Sequence, residues 1–190
     1  MTTKLMWGER VRLAAHENED NVIIRRWYDD PEFPHLLEYF PARPQRLEAV
    51  ETALDRMGKS EKDFLFGIRL IASDELIGLI SLEQIDWPNG TAWMGIGIGE
   101  PQHRGKGYGT EATQLLLKYA FHEINLHRVQ LTVFGYNPTA IAVYEKLGFV
   151  KEGVMRERLH RDGQRHDVLL YSLLRHEWEA RNGLHGSSSE

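Results

Sequence analysis

The stretch Gly99–Ala112, GEPQHRGKGYGTEA, sets four glycines among His103, Arg104, Lys106 and Tyr108 and leads into a helix-like pattern. Glycine lets backbone N–H groups approach a ligand closely, and a helix N-terminus adds unsatisfied donors and the positive end of its dipole. Residues of these types in this order make an anion site, and the obvious anion is a phosphate. Two phosphate-binding templates fail here. A P-loop needs Ser or Thr after Gly-Lys, but Gly107 follows Gly105-Lys106 and removes the magnesium-binding hydroxyl. A dinucleotide fingerprint needs G-x-G-x-x-G in the first strand–turn–helix of a parallel unit. Gly105, Gly107 and Gly109 have a different spacing, and the strand before them belongs to a hairpin-rich region.

A second chemical cluster follows about thirty residues on, in Asn137–Phe149, NPTAIAVYEKLGF. Asn137 is placed to cap a helix, Pro138 occupies its first position and Gly148 ends it. From these residues alone, Asn137 caps and Tyr144 packs. The nine histidines form no tight ligand set with carboxylates, and without cysteine there is no thiolate metal site, disulfide or cysteine nucleophile.

The elements that must hold these clusters follow from periodicity. Arg10–His16 reads as a strand, Glu19–Asp30 and Arg43–Gly58 as helical segments, and Pro31–Pro44, with four prolines, as an irregular, partly apolar loop. Asp63–Ala72 and Glu75–Asp86 are β-rich runs joined in a hairpin, and WPNG turns the chain into the strand Thr91–Gly99. On that strand Met94, Ile96 and Ile98 point one way; Trp93, Gly95, Gly97 and Gly99 point the other. A glycine-lined face marks close approach by another group. Tyr108–Leu126 is an amphipathic helix, His127–Phe134 a strand, and Phe149–Leu174 two strands about a turn at RDGQ. This order predicts an α/β or α+β fold with a mixed sheet and helices on both sides.

A 190-residue chain supports one domain, expected over residues 1–183 with a polar, disordered tail at 184–190. The formal charge of −5 gives no general attraction for nucleic acid or an anionic membrane, so the basic loop is a local feature. The N-terminus has no apolar signal-peptide core, and no stretch approaches the ~18 apolar residues of a membrane span. The expectation is a cytoplasmic protein without a membrane or nucleic-acid partner.

QHRGKGYG resembles the Q/R-x-x-G-x-G/A motif of the GNAT superfamily of acyl-CoA-dependent N-acetyltransferases, with Gln102, Gly105 and Gly107 at the motif positions. NPTAIAVYEKLGF resembles that superfamily's N-x-x-A-x-x-V-Y-x-K-x-G-F signature, and GVMRERLHRDGQRHDVLLYSLLRHEW is similar to the branch with ribosomal-protein and spermidine/spermine-type acetyltransferases. The resemblance spans roughly Asp63–Trp178. It implies a mostly antiparallel sheet of six or seven strands, splayed where Thr91–Gly99 and Arg128–Phe134 diverge, with acetyl-CoA as co-substrate in the wedge and no metal. The pyrophosphate would meet N–H groups from Arg104 to Gly109, hence Gly105, Lys106, Gly107 and Tyr108. The pantetheine would pair near Ile98 and Gly99, with the glycine face left for it, and Asn137 would hydrogen-bond the arm or neighbouring backbone.

The resemblance also implies roles in the reaction. Tyr144 would be the acid that protonates the thiolate leaving group. Relatives often carry a glutamate on the strand before the loop, but Trp93 stands there. The base is therefore open among Glu83, Asp86 and water. The acceptor would be a primary amine, on a small molecule or a protein N-terminus, and the enzyme a monomer or homodimer. Trp27, Tyr28, Phe33, Tyr39 and Phe40 either shape the amine pocket or form a satellite core. A non-catalytic acyl-CoA sensor and an ATP-dependent enzyme are the competing functions.

Overall fold

Among the described residues, a seven-stranded sheet runs in the order β1-β2-β3-β4-β5-β7-β6. Its strands are β1 (Val11–Ala15), β2 (Phe64–Leu70), β3 (Leu76–Asp86), β4 (Thr91–Ile98), β5 (Arg128–Phe134), β6 (Val150–Arg161) and β7 (Gln164–Leu174). This is a computed structural model that describes residues 5–183; the expected tail at 184–190 lies outside the described residues. Every neighbouring pair is antiparallel except β4–β5.

Among the described residues, six helices flank the sheet: α1 (Asp20–Trp27), α2 (Glu32–Leu37), α3 (Leu47–Gly58), α4 (Tyr108–Lys118), α5 (Pro138–Leu147) and α6 (Arg175–Arg181). Alternation along β4 assigns their sides. Ile96 and Ile98 meet the start of α4 at Gly109, whereas Gly97 and Gly99 face Phe33 and Leu37 of α2 and Trp27 of α1. On the α4 side, Ile80, Leu82, Leu116, Leu131, Tyr144 and Tyr171 belong to one buried core. On the other, Ile24, Trp27, Phe33, Val50, Leu54 and Leu76 form a smaller one.

Two local readings need correction. The proline-rich segment contains helix α2, because Pro31 caps it and Pro34 stands in its first turn, where a missing N–H breaks no helical bond. The long helix after the glycine loop ends at Lys118 and widens into a π turn over Tyr119–Glu123, where Phe121 is fully buried against Trp178. The β6–β7 turn is as its sequence reads, with Asp162 at φ +48° and Gly163 at φ +72°.

Candidate functional site

The parallel pair β4–β5 is short. It holds from Thr91↔Arg128 to Trp93↔Gln130, after which the strands part and leave a wedge with its apex at that last rung. Gly99 donates its N–H to Ile77 on β3 at 2.9 Å. Antiparallel alternation therefore turns the backbone groups of Ile96 and Ile98 toward the wedge, away from β3. The carbonyl of Ile98 accepts from Arg104 Nε at 3.1 Å, and that of Gly99 from Arg104 Nη2 at 2.9 Å.

The glycine loop follows the wedge. Gly105 and Gly107 have φ of +71° and +83°, which folds the chain back before α4 begins at Tyr108. The N–H groups of Gly105, Lys106, Gly107, Tyr108, Gly109 and Thr110 find no acceptor among the described residues. Arg104 donates its own N–H to Pro101 at 3.1 Å, so the run of free donors starts one residue later than the sequence reading puts it. Converging N–H groups at a helix N-terminus are what a pyrophosphate needs. The side chain of Arg104 pairs with Asp30 at 2.8 Å and Glu32 at 2.6 Å, which ties the loop to the α1–α2 turn. Gln102 is exposed and donates to Glu100, which also accepts from the Trp27 indole at 2.9 Å.

Arg10 joins this loop from the start of β1, and no local pattern in the sequence announces it. Its Nη1 donates to the Lys106 carbonyl at 2.9 Å, its Nε to Glu111 at 2.9 Å, and its guanidinium lies 5.0 Å from the centre of the Tyr108 ring. Glu111 also accepts the N–H groups of Glu9, Arg10 and Val11. Burial works against its charge, but these donors outweigh it and hold the carboxyl below its ordinary pKa. The clamp anchors the first turn of α4 to β1.

Tyr144 lies on α5 in the core on the α4 side, 9% exposed, with its ring 5.7 Å from that of Phe149. Burial alone pushes its phenol up to about 12, with no hydrogen bond contributing. At neutral pH the hydroxyl is protonated and can donate. Asn137 caps α5, its Oδ1 accepting from the Ala140 N–H at 3.1 Å.

The opposite face carries Glu83, the β3 partner of Trp93 at the wedge apex. Its Oε1 accepts from Ser81 Oγ at 2.6 Å and lies 3.2 Å from where a Cβ on Gly95 would stand. Asp86 is exposed and committed to Asn89 in the β3–β4 turn. The glycine face is not open to a ligand as the sequence suggests. A Cβ on Gly97 would lie 2.9 Å from the Phe33 ring, and one on Gly99 1.9 Å from the Trp27 indole. Trp27 and Phe33 are thus core residues. Tyr39 reaches β5 two residues past the last rung shared with β4, donating to Thr132 Oγ1 at 2.8 Å beside Phe134, and Phe40 is 76% exposed. Among the described residues, no group of three or more His, Cys, Asp or Glu could hold a metal ion.

The sequence profile described as "Acetyltransferase (GNAT) domain" matches residues 10–150. The chain belongs to the GNAT acetyltransferase family. The GNAT relatives include the "Uncharacterized N-acetyltransferase p20" of Bacillus licheniformis, 30% identical over 91% of this chain and 97% of that protein. The "Putative ribosomal N-acetyltransferase YdaF" of Bacillus subtilis is 40% identical over 58% of this chain and 60% of that protein. The Vibrio cholerae spermidine N-acetyltransferase, solved in complex with CoA and spermine, superposes with a TM-score of 0.81 at 26% identity, covering 88% of this chain and 97% of that one. This GNAT enzyme is an N-acetyltransferase with acetyl-CoA as co-substrate. The splayed, mostly antiparallel sheet is the fold expected from the resemblance. Among the described residues, no helix is long and apolar enough to cross a membrane.

Proposed function

We propose that the enzyme moves the acetyl group to a primary amine by direct attack in a ternary complex, with Tyr144 as acid and Glu83 as base, directly or through water. The amine nitrogen bonds to the thioester carbonyl carbon as the carbon–sulfur bond breaks. The amine proton leaves toward Glu83, and the departing sulfur takes the proton of the Tyr144 hydroxyl. The free N–H groups from Gly105 to Thr110 would hold the pyrophosphate, and the wedge-side edge of Ile96 and Ile98 would pair with the pantetheine.

One observation carries this reading. Tyr144 is a buried phenol on α5, protonated at neutral pH, while Glu83 on β3 is the cross-strand partner of Trp93, the β4 residue at the wedge apex, and stands on the other face. An acid and a base on opposite sides of a split sheet suit an amine arriving from one side and a thiolate leaving on the other. The acceptor class draws on the relatives: a polyamine from the Vibrio cholerae spermidine N-acetyltransferase solved with CoA and spermine, a ribosomal amine from the Bacillus subtilis putative ribosomal N-acetyltransferase.

The test is turnover of acetyl-CoA, followed by released thiol, against polyamines, other small amines and N-terminal peptides. A primary amine with saturable turnover is the expected result. Slow hydrolysis alone, unaffected by every amine, would contradict the proposal.

A further inference from the structure

Arg161 ends β6 at the hairpin turn, yet it is only 8% exposed. Among the described residues, no carboxylate pairs with its guanidinium. Nη2 donates to the carbonyls of Glu38 at 2.7 Å and Phe40 at 2.6 Å, and Nη1 to that of His160 at 3.3 Å. Nε is buried without a partner. Desolvating a charge with only neutral acceptors around it is costly, and apolar residues would fill the same space more favourably. What the guanidinium does instead is hold a segment of chain.

That segment needs holding. The chain leaves α2 at Glu38 in an extended conformation, and no backbone N–H among the described residues meets the carbonyls of Glu38 or Phe40. The hairpin grips the same region at other points. Arg158 lies 5.5 Å from the Tyr39 ring centre, and His35 Nε2 lies 3.5 Å from Asp162. Tyr136 donates to the His35 carbonyl at 2.6 Å and packs edge-on against His166 of β7. On its inner side, Tyr39 reaches Thr132 on β5, whose pairing with β4 ends two residues earlier.

We propose that Arg161 is a positioning residue, a latch from the β6–β7 hairpin that fixes Glu38–Phe40 beside the wedge and so sets acceptor affinity. The inference rests on the reading of this face as the acceptor side. The two charge-assisted bonds to the Glu38 and Phe40 carbonyls are lost in Arg161→Met, with the longer one to His160, while an apolar stem of similar reach remains.

The experiment measures steady-state kinetics and amide hydrogen exchange together. In Arg161→Met, acceptor KM should rise about tenfold or more, as the loss of one strong bond to a charged group allows. Acetyl-CoA KM and kcat at saturating acceptor should hold within about twofold, and exchange of the Glu38 amide, which donates to the Pro34 carbonyl at 2.8 Å, should quicken. Arg161→Lys, with one donor head, should recover part of each effect. It also carries the test if Arg161→Met fails to fold. Unchanged exchange in a folded variant would overturn the latch. Tyr39→Ala separates the remaining failures. If it raises acceptor KM and Arg161→Met does not, the kinetic role of Arg161 is overturned. If neither raises it, the acceptor-side reading falls and the inference with it.

Discussion

The indole of Trp27 occupies the space that a side chain at Gly99 would take: an added Cβ would stand 1.9 Å from indole Cδ2 and 2.2 Å from Cε2. Trp27 is 3% exposed and locked between Phe33 and the Glu100 carboxylate, so it has no free direction in which to move. Gly99→Ala should therefore destabilise the fold by about 1–3 kcal/mol, the cost of overpacking a filled core. Trp27→Leu should relieve part of that loss, giving a double-mutant cycle with strong coupling in urea unfolding. Additive effects would show that the two residues do not compete for space.

Gly107 tests the loop. At φ +83°, with Arg10 Nη2 3.2 Å from an added Cβ, a β-branched residue is strained and displaces the guanidinium as well. Gly107→Val should weaken acetyl-CoA binding by at least about tenfold, a loss of ~1.4 kcal/mol. Gly153→Ala, where nothing lies within 4 Å of the added Cβ, should leave binding unchanged. Calorimetric titration of both folded variants decides the matter, and equal affinities would remove the loop from the cofactor site.

Glu152 predicts a pH dependence. Its hydrogen bonds from Arg128 and then from Ser172 hold the carboxyl down to about 2, against burial. Because the folded value lies below the unfolded one, this stabilisation is present above about pH 4.5 and is lost as pH falls toward 2. Glu152→Gln should be less stable than wild type at pH 6 and lose less stability between pH 4.5 and 2. Parallel acid-unfolding curves for the two proteins would show that the carboxylate is not linked to folding.

Local chemistry was legible in the sequence wherever neighbours in the chain do the work. Gly105 and Gly107 need their positive φ because the loop reverses there, and Asn137, Pro138 and Gly148 bound α5 as their types demand. Glu83, by contrast, owes its place beside Gly95 to strand register, which alternation alone leaves unspecified. Helix α2 was hidden because four prolines in Pro31–Pro44 suggest a loop, although two of them fall where a helix start tolerates them. The occupant of the glycine face was equally hidden: Trp27 and Phe33 come from helices far back in the chain. Arg10 meets Lys106 across 96 positions, and Arg161 meets Glu38 across 123, so only the folded chain brings either pair together.

The most direct test of the account is the turnover of Tyr144→Phe on a good amine acceptor. The substitution keeps the ring against Phe149 and deletes only the hydroxyl that burial holds at about 12. Loss of a positioned acid costs ~10² to 10⁴ in rate, so kcat should fall by that order while the acetyl-CoA Kd stays within a few-fold. The deficit should shrink with an activated thioester whose leaving group needs no proton. A Tyr144→Phe enzyme that turns over like wild type with acetyl-CoA would contradict the account and make Tyr144 a packing residue.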